Sequence, residues 1–182
     1  MPAPTILGPN DLYETGEGIF YSHQTLPVVD QAVISLLKQT ARTTPRRRAR
    51  FCAHPAPDAE HHDMLIVSHR DTYVAPHRHA HKSETFIVLE GLVTALLFSV
   101  DGSLQQTIKM GPASSGRAFF YRMPQLQFHS LSIESELIVF IESTKGPFRV
   151  EDVENAPWAP GPSATAAGRE YIASILAKAQ VA

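Results

Sequence analysis

The sequence predicts a mainly β protein whose strands form a sandwich or a barrel. From Met64 to Glu142, short apolar runs alternate with turn signals at a spacing of about 8–12 residues, which is typical of all-β sandwiches and barrels. Asp101-Gly102 is a tight-hairpin signal that joins the runs on either side of it. Segments with apolar residues at helical spacing flank this region, and they predict one helix before it and one after it.

The two predicted helices divide the chain into three parts. Residues 1–60 are an N-terminal extension whose helix lies near residues 28–43 and ends before Pro45, since proline disrupts helices. Residues 61–148 hold the predicted strands, and residues 149–182 are a proline-rich tail followed by the C-terminal helix.

Composition restricts the classes of partner. The chain has 182 residues, of which 43% are hydrophobic, and this is enough for one domain with a substantial core. A net charge of -2 provides no basic face for nucleic acid. The single cysteine, Cys52, excludes an intrachain disulfide and fits a reducing compartment. We find no signal-peptide pattern at the N-terminus and no apolar run of membrane-spanning length, so we expect a cytoplasmic protein without a membrane partner.

The stretch "PHRHAHKSETFIVLEG", residues 76–91, contains the candidate metal ligands. Side chains alternate faces along a strand, so His77 and His79 point the same way and can bind one ion. Glu84 opens the next apolar run, and His129 lies in "FHSLSI" on an otherwise apolar face where a metal would satisfy its ring nitrogen. His81 lies in the predicted turn, and we interpret it as a solvated loop residue.

These residues resemble the two cupin motifs. The first motif has the pattern G-x5-HxH-x4-E-x6-G, in which His77, His79, Glu84 and Gly91 match. "PQLQFH" is similar to the second motif, PxGxxH, with Pro124 and His129 in register. The resemblance implies a single cupin barrel (a double-stranded β-helix, or jelly roll) with a metal on three histidines and one glutamate. The chain departs from the motifs at three turn and packing positions, Asp71, Leu126 and Ile133.

A narrower resemblance extends from about residue 42 to residue 160. "PRRRARFCAHP", "TYVAPHRH", "KGPF" and "APWAP" together are similar to the WbuC-type cupin-fold metalloproteins. That group has the same layout of helix, cupin barrel and tail. Its association with surface-polysaccharide gene clusters implies carbohydrate chemistry and a role in polysaccharide biosynthesis.

The ligand set leaves the identity of the metal open. Three imidazoles and one carboxylate suit a divalent transition metal ion, which can be Fe, Mn, Ni, Zn or Cu. Such an ion can polarise a carbonyl or activate water or dioxygen.

Catalytic and substrate-binding residues are predicted less specifically. A proton-transfer group is needed for isomerisation, and the candidates by strand parity or strand position are Tyr73, Gln127 and Glu142. The basic cluster that follows the first helix has two interpretations: a solvated helix exit, or an anion clamp built from Arg48, Arg50 and His54. Trp158 is expected to pack the tail onto the barrel.

Three functions are compatible with this set of residues. The first is an enzyme, such as a metal-dependent isomerase or epimerase, acting on a small polar, carbohydrate-like or oxo-acid substrate. The second is a non-catalytic cupin that binds or senses a small ligand, and the third is an Fe(II) dioxygenase. The resemblance and the exposed sheet edges predict a homodimer.

Overall fold

The computed structural model describes residues 5–179, so the outermost residues of the predicted extension and tail, 1–4 and 180–182, lie outside the described part of the chain. Residues 5–179 form twelve strands and two α-helices. The helices are α1 (Gln31–Thr43) and α2 (Thr165–Ala179). The strands are β1 (Leu12–Gly16), β2 (Ile19–Ser22), β3 (Arg48–Cys52), β4 (His61–His69), β5 (His77–His79), β6 (Glu84–Glu90), β7 (Val93–Phe98), β8 (Leu104–Met110), β9 (Phe120–Met123), β10 (Phe128–Ile133), β11 (Leu137–Lys145) and β12 (Val153–Asn155).

The strands form two facing sheets, which confirms the predicted mainly β cupin-type jelly roll. The larger sheet has seven strands in the order β1-β2-β3-β4-β11-β6-β9, and the smaller has five in the order β12-β5-β10-β7-β8. The sheets do not join into one closed barrel. The hairpin predicted at Asp101-Gly102 connects β7 to β8, and Gly102 adopts a φ of 91° there.

The N-terminal extension contributes strands that the sequence analysis did not predict. β1, β2 and β3 add one edge to the larger sheet, with β2 parallel to β3 and β3 antiparallel to β4. At the other end of the chain, β12 pairs with β5 in the smaller sheet. Residues on both sides of the 61–148 segment therefore extend the two sheets.

The space between the sheets holds an aromatic and aliphatic core. Phe86 is 1% exposed. Its ring stacks on Phe140 and Tyr121 at centroid distances of 4.4 and 5.1 Å. Val93 and Ala95 of the smaller sheet are fully buried against this cluster. Tyr21, Cys52 and Met64 belong to the same cluster, so the core extends along the inner face of the larger sheet.

Each outer face carries one helix, as predicted. α1 begins after Asp30, whose carboxylate accepts a hydrogen bond from the Ala32 N–H at 2.8 Å, and it packs on β3 and β4 through Val33 and Leu37. α2 packs on the smaller sheet through Ile172. Within residues 5–179, no helix is both long and apolar enough to cross a membrane.

Two details match the sequence motifs. Gly91, the last glycine of the first cupin motif, adopts a φ of 82° between β6 and β7, and a Cβ there would collide with the Leu137 carbonyl. Trp158 packs the tail onto the smaller sheet as predicted, with its ring 5.1 Å from that of Phe98. Its indole N–H donates to the Val100 carbonyl at 3.0 Å.

Candidate metal centre

Three histidines meet on the inner face of the smaller sheet. His77 and His79 lie at the two ends of β5, and His129 on β10 pairs directly with His77 across the antiparallel ladder. The His77 and His129 rings are 4.5 Å apart, and the His77 and His79 rings are 5.1 Å apart. Each histidine can offer one ring nitrogen such that the three atoms lie within 4.8 Å of one another.

Glu84 approaches the histidines from the opposite sheet. It is the first residue of β6, it is 6% exposed, and its two oxygens face two different histidines. Oε2 lies 3.1 Å from His79 Nε2, and Oε1 lies 3.0 Å from His129 Nε2. Two ligand atoms at about 2.1 Å from one ion and at right angles to each other would be about 3.0 Å apart. These two distances fit neighbouring ligands of a single ion as well as hydrogen bonds, while the set of ligand atoms that all lie within 4.8 Å of one another comprises the three histidines without Glu84.

Backbone carbonyls fix the orientation of two of the rings. His77 Nδ1 is 2.9 Å from the Ala75 carbonyl, and His129 Nδ1 is 2.9 Å from the Gln127 carbonyl. A carbonyl only accepts, so each Nδ1 is a protonated donor, and the neutral form of each ring carries its lone pair on Nε2. Ligating histidines are normally held by such a hydrogen bond from the second ring nitrogen.

His129 Nε2 is the clearest sign of a missing partner. This atom is buried, and although it lies near Glu84 it has no hydrogen-bond partner of acceptable geometry in residues 5–179. A buried polar atom without a partner carries a desolvation cost. A metal ion bound by the lone pair would remove that cost, so the residues present fit a divalent metal.

The protonation states suit the same role. Burial, followed by the neighbouring His129, lowers the pKa of His77 to about 3, so this ring is neutral near pH 7. Burial opposes ionisation of Glu84, but His129 and His79 outweigh it and hold the pKa of this carboxyl well below its usual range. Burial lowers the pKa of His129, but the adjacent charge of Glu84 outweighs burial and raises it. The cluster thus presents an anionic oxygen donor beside the neutral imidazole of His77, and a metal would compete with a proton for His129.

A cavity of about 190 Å³ opens beside this cluster, between the sheets. His79 and Glu84 line one part of its wall. The wall continues with polar and aromatic side chains of the larger sheet and of the loops around it. These polar and aromatic side chains are Thr15, Tyr21, Arg50, His54, His62, Lys82, Glu142, Thr144 and Phe148.

Three of the residues predicted to bind substrate or to transfer a proton line this cavity. Arg50 comes from the inner face of β3, His54 follows the same strand, and Glu142 lies on β11. Burial, followed by the charge of Glu84, raises the pKa of Glu142. Arg48 is outside the cavity wall, with a guanidinium nitrogen 3.9 Å from the Glu142 carboxylate.

The other two catalytic candidates lie elsewhere. Tyr73 precedes β5 instead of continuing it, and its hydroxyl donates to the Pro160 carbonyl at 2.7 Å under α2. The Gln127 amide donates to the carbonyls of Phe98 and Phe128 at 2.8 and 3.0 Å. Neither side chain lines the cavity. Tyr73 does not share the inward face with His77 and His79 because β5 begins only at His77.

His81 and Leu126 lie in turns that the resemblance to the two motifs predicts. His81 is exposed between β5 and β6. Leu126, at the position where the second motif has glycine, adopts a φ of 65° and is 53% exposed. Its N–H donates to the His79 carbonyl at 2.8 Å. The left-handed turn is therefore retained without its glycine.

Replacing Leu126 with glycine is expected to raise the free energy of unfolding by up to about 1 kcal/mol. The left-handed region costs an L-residue about 1–2 kcal/mol, and the extra entropy of an unfolded glycine offsets part of the gain. Chemical denaturation measures the difference. Leu26→Gly is the control, since Leu26 is 64% exposed and has no positive φ; it should destabilise. Equal losses in both variants would contradict the expectation.

Comparisons with known proteins add little beyond the fold. A family model described as a domain of unknown function, DUF6016, matches residues 29–110, which is less than half of the chain. No curated protein matches the sequence.

Similar solved structures share little sequence with this chain. CapF of Staphylococcus aureus, a capsular polysaccharide assembling protein, is 16% identical with a TM-score of 0.44, and the match covers 54% of this chain and 27% of CapF. KdgF of Halomonas sp. is 15% identical with a TM-score of 0.44 over 57% of this chain and 82% of KdgF. A Shewanella oneidensis protein is 13% identical with a TM-score of 0.47 over 68% of this chain and 77% of that protein. In a second CapF structure, too, the match spans only 32% of CapF.

Proposed function

We propose that this protein is a metal-dependent enzyme that acts on a small polar, carbohydrate-like or oxo-acid substrate in the cavity beside Glu84. The ion would be held by His77, His79, Glu84 and His129. The observation that carries the proposal is the convergence of three histidine ring nitrogens, all within 4.8 Å of one another, beside the buried carboxylate of Glu84. The ligand types leave Fe, Mn, Ni, Zn and Cu open.

The protein side chains supply the remaining parts of the site. A bound divalent ion polarises a carbonyl or acidifies water. The Ala75 and Gln127 carbonyls hold the His77 and His129 rings in the ligating orientation. Glu142 lines the same cavity without belonging to the ligand set, and its raised pKa suits a group that accepts and returns a proton. We assign it the proton transfer of an isomerisation or epimerisation.

The experiment that tests this proposal is metal removal followed by reloading. The protein is incubated in D2O with a panel of hydroxy-oxo acids and sugar acids, and NMR follows deuterium exchange at the carbon next to the carbonyl. We expect exchange only in the metal-loaded protein. Glu142→Gln should keep its metal and slow exchange about 100-fold, the lower range for loss of a general base.

Two other outcomes correspond to the alternative functions. Ligand binding without exchange or turnover would replace the enzyme with a non-catalytic binding or sensing cupin. Oxygen consumption that requires Fe(II) would replace the isomerase with a dioxygenase. Exchange that persists after complete metal removal would contradict the proposal.

We also propose that the chain is a WbuC-type cupin with a role in polysaccharide biosynthesis. Two of the segments that carry the resemblance support this proposal by their positions. "PRRRARFCAHP" forms β3 and brings Arg50 and His54 to the cavity, while "APWAP" positions Trp158 against the smaller sheet. The homodimer and the cytoplasmic location stay predictions.

A further inference from the structure

Two cations line the cavity without a carboxylate partner. Arg50 extends from the inner face of β3, and Lys82 lies two residues before Glu84. In the described part of the chain, no carboxylate oxygen lies within 4.0 Å of the charged nitrogens of either residue. The cavity therefore presents two cationic groups that its own walls do not pair.

Both cations are costly where they lie. Lys82 is only 8% exposed, although lysine is almost never buried unless it is paired. Arg50 Nε is buried and, within residues 5–179, has no hydrogen-bond partner. The Lys82 ammonium lies 5.7 Å from the centre of the Phe148 ring, which orients it but does not neutralise it. Lys82 is therefore buried and Arg50 half-buried without a counter-charge, and an anionic ligand would provide one for both.

The carboxylates of the cavity are already engaged. Glu84 lies between His79 and His129, and Glu142 faces Arg48 at 3.9 Å. A divalent ion at the histidines would add positive charge to the same cavity. The charges of this space therefore favour an acidic ligand.

We infer that Arg50 and Lys82 form an anion subsite that binds the carboxylate or phosphate group of a small ligand. The subsite names the substrate class for the proposed function and in that respect rests on it. Neither residue belongs to the proposed metal ligands, so anion binding can be measured without metal. At about 190 Å³ the cavity is smaller than the pockets of about 300–1,000 Å³ that hold drug-sized ligands, which fits a short acid.

His54 contributes a different kind of contact. Its Nδ1 lies 3.2 Å from the Asp63 carbonyl and therefore donates to it, and its ring stacks on His62 at 3.9 Å. Burial lowers the pKa of His54, so the ring is neutral and Nε2 is an acceptor. A hydroxyl group on the ligand is the matching donor.

Calorimetric titration of the metal-free protein tests the subsite. Inorganic phosphate and malonate are the probes, and the protein is freed of metal by chelation and dialysis. Arg50→Met and Lys82→Met should each weaken binding at least tenfold, because a hydrogen bond to a charged group contributes about 1.5–3 kcal/mol. Arg122→Met and Lys109→Met, at exposed strand positions outside the cavity, are the matched controls and should bind as the wild type does.

The outcomes separate the subsite from the metal centre. Binding of only one probe assigns the subsite to phosphates or to carboxylates. Failure of both probes to bind, or equal binding by the cavity and control variants, overturns the inference. If Lys82→Met binds the normal amount of metal on reloading, its weaker anion binding does not result from misfolding. If Arg50→Met does not fold, the test depends on Lys82→Met alone. Anion binding by a wild-type protein that takes up no divalent metal on reloading would remove the proposed function and leave the subsite.

Discussion

Alanine at any one of His77, His79, Glu84 and His129 is expected to lower the affinity for a divalent metal at least 100-fold. Substitutions that only disturb the residues behind metal ligands cost about 10–100-fold, and a lost ligand should cost more. The effect should be largest for Glu84, whose two oxygens lie 3.1 and 3.0 Å from two different histidines. Competition titration with a chromophoric chelator measures each affinity.

His81→Ala is the matched control for the ligand variants. It removes an imidazole from the same sequence motif, but His81 is exposed between β5 and β6. Its metal affinity should equal that of the wild type. A fall for His81→Ala as large as for His79→Ala would mean that the exposed histidines bind the ion, and unchanged affinity in all four ligand variants would remove the site.

Phe86→Ala is expected to lower the free energy of unfolding by about 3–5 kcal/mol, the usual cost of removing a buried aromatic ring. Phe86 is 1% exposed, and its ring is held between Tyr121 and Phe140. Loss of the ring would leave a cavity in the centre of the two-sheet core. Glu84 lies two residues away on the same face of β6, so the substitution should also loosen the metal centre.

Chemical denaturation monitored by circular dichroism measures this loss of stability. Phe119→Ala is the control, since Phe119 is 47% exposed, and its effect should stay below about 1 kcal/mol. Similar losses in the two variants would show that the inner face of β6 does not hold the main core.

Period-2 alternation explains why the metal centre could be predicted from sequence. His77 and His79 are two residues apart on one strand, so any strand over this stretch places them on one face. The apolar neighbours of His129 likewise place it on an inner face. The approach of Glu84 from the other sheet does not follow from alternation, and the motif resemblance supplied it.

The residues of the cavity wall could not be predicted from short-range sequence patterns. Arg48 and Arg50 alternate with Ala49 and Phe51, and the arginines face inward while the apolar pair packs under α1. A strand with charged residues toward the interior looks like a solvated segment in the sequence. The position of this strand, β3, follows only from its pairing with β4.

Lys82 and His62 were missed for the same reason. Glu84 and His62 both pair with Thr144 of β11, so three distant segments meet in one row across the larger sheet. The only local signal was that Lys82 precedes Glu84 by two residues. Tyr73 was wrongly predicted to face inward. The alternation of side chains was extended to residues that precede His77, where β5 begins.

The most direct test of the central claim is to locate the ion by anomalous X-ray scattering. Crystals of the untagged, metal-loaded protein are measured at the absorption edge of the metal that elemental analysis identifies. We expect one strong anomalous peak per chain, bonded to His77, His79, Glu84 and His129. A peak elsewhere, or none at these four side chains at full metal loading, would contradict the account.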